Sequence, residues 1–254
     1  MEGFLVRFVT CRYEGKSTWG AVTEDGAGVI DLGRRLPGLP DLSAALKTGR
    51  LTEAKEAASW ADADFSLAEV EYERTIPFPG KIFCIGVNYG GRNAEYSDPT
   101  SSNKPSVFVR FPQSLTGHKQ PLVRPPESVQ LDYEGEIVAV IGRRGRRIPQ
   151  SQARDHIAGL TLGNEGTVRD WLRHAKFNVT QGKNWEGSGS MGPWLVPTDE
   201  IGNFEDLRLQ THVNGELRQD DTVASMAFPI EFQIEYLSTF ITLEPGDVIY
   251  TGTP

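Results

Sequence analysis

The stretch LDYEGEIVAVIG, residues 131–142, sets two glutamates, Glu134 and Glu136, at the head of an otherwise apolar run. The run reads as a strand entering a buried sheet, and in an extended strand alternate side chains share a face. Glu134 and Glu136 then point one way, while Gly135 and Ile137 point the other. Two neighbouring carboxylates repel each other. A hard divalent cation relieves that repulsion, and carboxylate with water is the ligand set of magnesium, manganese or calcium. The plainer reading is a strand that starts at the solvent edge with both glutamates hydrated, the usual state of an isolated E-x-E pair.

A third acid strengthens the metal reading. TLGNEGTVRD places Glu165 after an apolar segment, beside Gly163 and Gly166, where a carboxylate could complete a triad of oxygens. Asp170 sits where a helix is expected to begin and is read as a cap. Arg169, four residues after Glu165, and Lys183 in TQGKNW are placed to hold a carboxylate or an enolate oxygen, the first in bidentate fashion and the second as a point charge. Their alternative is ordinary surface charge.

The whole chain of 254 residues carries a net charge of -8, which argues against nucleic acid as a partner because phosphate binding needs a basic surface. GRRGRR, residues 142–147, is accordingly read as a solvated turn. Cys11 and Cys84 have neither CxxC nor Cys/His spacing, so no disulfide framework or zinc site is expected. The opening residues are too charged for a signal peptide, and no apolar run is long enough to span a bilayer, so a cytoplasmic protein without membrane contact is expected.

Residues 3–32 alternate like strands, with turns at EGKST and EDGAG. DLSAALKTGRLTEAKEAASW reads as one or two helices opened by an Asp/Ser cap and divided at Gly49. Prolines near residue 75 precede a fresh apolar strand, which predicts a small N-terminal α/β domain over 1–75 and a larger one over 76–254. In the second, RNAEYS and SQARDHIAGL are helical candidates, and Asn214-Gly215 between two alternating runs predicts a hairpin. With 27 Gly and 16 Pro, a β-dominated α+β fold is expected over a doubly wound sheet.

Six ordered blocks, KIFCIGVNYGGRNAEY, LDYEGEIVAVIG, GNEGTVRD, QGKNWEGSGSMGPWLV, HVNGELRQDDT and LEPGDVIYTGTP, resemble the fumarylacetoacetate hydrolase family over residues 81–254. The resemblance implies a mixed β-roll, bound Mg2+ or Mn2+ (Ca2+ in a crystal), a homodimer, and chemistry beside the carbonyl of a 2-oxo or β-diketo acid. It carries the metal ligands onto Glu134, Glu136 and Glu165, the last in place of the usual Asp. It also carries substrate binding onto Arg169, Lys183, Thr251 and Thr253.

The family's hydrolases use NYxxHxxE to activate water, whereas NYGGRNAE puts Arg92 at the histidine position and keeps Glu95. Arginine cannot act as a base near neutral pH. Arg92 becomes a substrate-binding cation or the ion-pair partner of Glu95, with Glu95 and Lys183 as catalytic candidates. His118 and His174 could replace the missing imidazole in space. The substitution favours isomerisation or decarboxylation of an unsaturated 2-oxo dicarboxylate, as in the hydroxyhepta-dienedioate branch, over hydrolytic cleavage of an acylpyruvate. An inactive binding module is the reading from another class. Relatives commonly continue beyond TGTP, so a further tail is expected.

Overall fold

The computed structural model describes residues 5–90, 103–172, 174 and 178–254. Three strands open it as an antiparallel meander: β1 (Phe8–Tyr13), β2 (Lys16–Val22) and β3 (Gly28–Asp31). Tyr13 pairs with Lys16 across Glu14 and Gly15, both at positive φ (46° and 77°), a two-residue turn whose twist suits the strands. The turn expected over EGKST is thus shorter, and Lys16, Ser17 and Thr18 belong to β2.

Helices Leu32–Arg35, Leu42–Lys47 and Leu51–Ser59 follow. Asp41 caps the second by accepting from the Ala44 N–H, and Gly49, at φ 67°, separates it from the third. β4 (Phe65–Ser66) and β5 (Glu71–Tyr72) return to the meander.

The second half supplies β6 (Ile82–Gly86), β7 (Ser106–Val109), β8 (Leu115–Thr116), β9 (Leu131–Asp132), β10 (Gly135–Ile141) and β11 (Ile157–Asn164). It continues with β12 (Thr167–Val168), β13 (Gly189–Met191), β14 (Trp194–Pro197), the hairpin β15 (Arg208–Val213) and β16 (Glu216–Thr222), and β17 (Val248–Tyr250). One large mixed sheet runs β4-β3-β2-β1-β14-β11-β10-β17-β6-β7, so the fold is sheet-dominated. The sheet passes through the predicted boundary near residue 75, because Phe8 and Val9 of β1 pair with Leu195 and Trp194 of β14. One apolar cluster joins Trp19, Leu42 and Leu46 to Ile82, Val138 and Tyr250.

Asn214 and Gly215, at φ 52° and 82°, make the hairpin turn that their sequence predicts. SQARDHIAGL departs from expectation. Its first part lies in a 3-10 helix, Gln150–His156, and Ile157 onward is β11, because the apolar residues there pair with β10 and join its sheet. RNAEYS lies outside the described residues. The basic turn at 142–147 is exposed but structured: Arg146 Nη1 donates to the Ser238 carbonyl at 2.6 Å, near the C-terminal end of helix Ile230–Phe240. Among the described residues, no helix is long and apolar enough to cross a membrane.

Candidate active site

β10 is central, between β11 and β17, and its first turn of chain sets the site. Glu134 precedes the strand and Glu136 is its second residue, so the two flank Gly135 on a shared face. Glu165 follows the end of β11, and its backbone N–H donates to the Glu134 carbonyl at 2.8 Å. Gly166, next in the chain, lies against the Ser188 carbonyl, whose oxygen would be 1.9 Å from a Cβ there. All three glutamates are buried, and one oxygen of each lies within 4.8 Å of the others, so the cluster could hold a metal ion. The donor set is hard oxygen, which fits a divalent magnesium- or manganese-like cation.

Cations surround two of the three acids. Lys183, in the short helix Thr180–Lys183, donates from Nζ to Glu134 Oε2 at 2.9 Å and to Glu165 Oε2 at 2.5 Å. Burial alone would depress its ammonium, but the two carboxylates hold its pKa above the usual lysine range. Arg169 reaches Glu134 Oε1 at 2.8 Å and Asp132 Oδ2 at 2.8 Å. Glu136 is different: among the described residues it has no ion-pair partner, and its hydrogen-bond donor is the Gly252 N–H at 2.8 Å. Burial, then repulsion from Glu165 and Glu134, pushes its pKa well above the carboxylate range. Glu165 is pushed up to about 7, chiefly by burial, although Lys183 and Arg110 pull the other way.

The terminal TGTP block reaches the site through its backbone as much as its side chains. Gly252, at φ 102°, presents its N–H to Glu136 and leaves no room for a side chain beside Asn88. Thr251 and Thr253 were candidate binders of a substrate carboxylate. The structure directs both hydroxyl protons elsewhere, to the Ile137 and Gly135 carbonyls at 2.8 Å each, because β10 leaves those acceptors facing the segment. Asp170 is not a cap: Val168 holds the capping position, and Asp170 accepts from Ser128 Oγ at 2.6 Å. His118 stands edge-on to Tyr72, and His174 packs on Trp171. Arg92 and Glu95 lie outside the described residues.

Two participants escaped the sequence reading. Arg110, fully buried after β7, donates to Glu165 Oε1 and the Gly166 carbonyl at 2.9 Å each, and also to Ser114 and Ser188. Its one signal is a charge closing the apolar run SVFV. Tyr89 is buried, its hydroxyl has no partner among the described residues, and burial, then Asp221 and Glu136, raise its pKa, so it stays a neutral donor.

Known proteins are similar to this chain along most of its length. The chain is 42% identical over 217 residues to an oxaloacetate tautomerase of Bacillus subtilis (strain 168), covering 80% of this chain and 71% of that protein. It is 39% identical over 194 residues to a 4-hydroxyphenylacetate degradation bifunctional isomerase/decarboxylase of Salmonella dublin, covering 74% of this chain but 45% of that longer protein. The crystal structure of a maleylpyruvate hydrolase from Sphingobium sp. SYK-6, in complex with manganese(II) ion and pyruvate, superposes with a TM-score of 0.79 at 26% identity, covering 98% of this chain and 88% of that one. Residues 81–254 match the family described as fumarylacetoacetate (FAA) hydrolase C-terminal, and the chain therefore belongs to the fumarylacetoacetate hydrolase family, whose relatives here are named isomerases, decarboxylases, tautomerases and hydrolases.

Proposed function

We propose that the chain is a divalent-metal-dependent enzyme that acts beside the carbonyl of a 2-oxo or β-diketo acid, by isomerisation or decarboxylation. Keto–enol isomerisation of a 2-oxo dicarboxylate such as oxaloacetate is the form best supported. The observation that carries this reading is Glu136, a buried carboxylate with no cation beside it among the described residues while Glu134 and Glu165 are paired. An uncompensated buried charge costs several kcal/mol, roughly, unless something neutralises it.

Glu134, Glu136 and Glu165 would hold the ion. When bound, it supplies Lewis acidity to an adjacent carbonyl oxygen. Lys183 and Arg169 add positive charge where an anionic acid would bind, and their pairing with Glu134 keeps them oriented. The Tyr89 hydroxyl, without a partner among the described residues, is a donor for a substrate oxygen. Glu95 is proposed as proton carrier and Arg92 as a substrate-binding cation, with no structural account of either.

The test supplies oxaloacetate and acylpyruvates with manganese while following enol absorbance, carbon dioxide and acid products together. Metal-dependent enol conversion, with or without carbon dioxide, is expected, and Glu136→Gln should abolish it. Release of two acids without carbon dioxide would instead assign hydrolytic carbon-carbon cleavage. Neither manganese binding nor turnover would leave a binding module.

A further inference from the structure

The peptide between the first two glutamates is gripped on both sides by side chains from distant parts of the chain. Gln219, on β16, accepts the Gly135 N–H at Oε1 over 3.1 Å. Its Nε2 donates to Thr253 Oγ1 and to the Pro254 carbonyl, each at 2.7 Å. Thr253 Oγ1 in turn donates to the Gly135 carbonyl at 2.8 Å, which closes a ring of hydrogen bonds around one residue. Both main-chain polar groups of Gly135 are thereby occupied by side chains.

Packing reinforces the ring. Gln219 is the cross-strand partner of Thr211 in the hairpin, and Thr211 Oγ1 would lie 2.1 Å from a Cβ on Gly135. The hairpin is a two-stranded sheet of its own, outside the large one, yet this pair lies directly on the start of β10. Two other restraints at that point come from the site's own segments: Asn164 Oδ1 accepts the Glu134 N–H at 3.0 Å, and the Gly252 N–H donates to Glu136. Gln219 is the group that ties the Glu134–Glu136 peptide to the hairpin and to the terminal segment at once.

The geometry points to Gln219 as a positioning residue: through the ring with Thr253 and Gly135 it sets the separation and direction of Glu134 and Glu136, and so sets metal affinity. This rests on the metal reading above. The mechanism is orientation of ligands by outer hydrogen bonds, whose loss typically lowers metal affinity about 10- to 100-fold.

The experiment titrates the purified chain with manganese alone by calorimetry, and melts each variant in EDTA. Gln219→Met keeps volume and removes the bonds that Gln219 makes, leaving Thr253 Oγ1 on the Gly135 carbonyl; Thr253→Val breaks the ring from its other side; Thr253→Ser keeps the hydroxyl. The expected result is manganese affinity weakened roughly 10- to 100-fold in Gln219→Met and in Thr253→Val, retained in Thr253→Ser, with a cooperative metal-free melt in all three. The double variant should lose little more than either single one, since both break one ring. Wild-type affinity in Gln219→Met would overturn the inference while leaving the metal reading intact. Weakening accompanied by loss of the cooperative metal-free melt would also overturn it, because the role would then be structural. A wild-type chain that binds no manganese would overturn both. If Gln219→Met does not fold, the Thr253 pair decides the outcome.

Discussion

Arg110 Nη1 and Glu165 Oε1 meet at 2.9 Å with both side chains out of solvent. The guanidinium also bonds Ser114, Ser188 and the Gly166 carbonyl, so it is held in place before Glu165 is considered. This leaves Oε2 of Glu165 for Lys183, so each oxygen of the buried carboxylate faces a cationic donor.

Arg110→Met should therefore strand part of a buried charge. Breaking a buried ion pair by removing one partner costs roughly 3–5 kcal/mol, measurable as a lower urea midpoint. Adding Glu165→Gln should recover much of that loss, because the uncompensated carboxylate is removed with its partner. A double variant as unstable as the sum of both single ones would contradict the pairing.

Metal binding should strengthen with pH. Glu165 is raised from an ordinary 4.5 to about 7, first by burial, and Glu136 is raised well above its ordinary value, again first by burial. An acid with a higher pKa in the folded state binds more protons folded than unfolded between the two values, so metal-free stability falls as pH rises through that interval. Through Glu165 alone the loss is on the order of 3 kcal/mol by about pH 7. A cation that replaces those protons offsets the loss. The manganese-induced rise in Tm should be small near pH 5 and larger at pH 8; a rise independent of pH between those values would contradict the titration of these carboxylates.

Tyr89→Phe separates binding from folding. Its hydroxyl has no partner among the described residues, so removing it should change stability by less than about 1 kcal/mol and leave manganese affinity unaltered. A lost hydrogen bond to a charged substrate oxygen is worth roughly 1.5–3 kcal/mol, so kcat/KM for oxaloacetate should fall roughly 10- to 100-fold. Unchanged kinetics would remove Tyr89 from the site.

Much of the site was readable because its spacing is local. Glu134 and Glu136 share a face by strand geometry alone, and Glu165 follows an apolar run that forms the neighbouring strand. The Asp41 cap, the Gly49 break and the Asn214-Gly215 turn were readable for the same reason: each is decided by residues within one turn of chain. The reading of Asp170 as a cap failed because its partner, Ser128, is 42 residues away.

The sequence by itself determined the alternation, the turns and the identity of the acids, since these follow from backbone preference and side-chain chemistry over a few residues. Tertiary structure alone decided that Ile157 onward joins a sheet, that Arg110 sits beneath Glu165, that Gln219 grips Gly135, and that, among the described residues, Glu136 is the acid left without a cation. The physical reason is desolvation. Whether a charge is hydrated, paired or stranded depends on which distant segments exclude water from it, and that is settled when the strands pack.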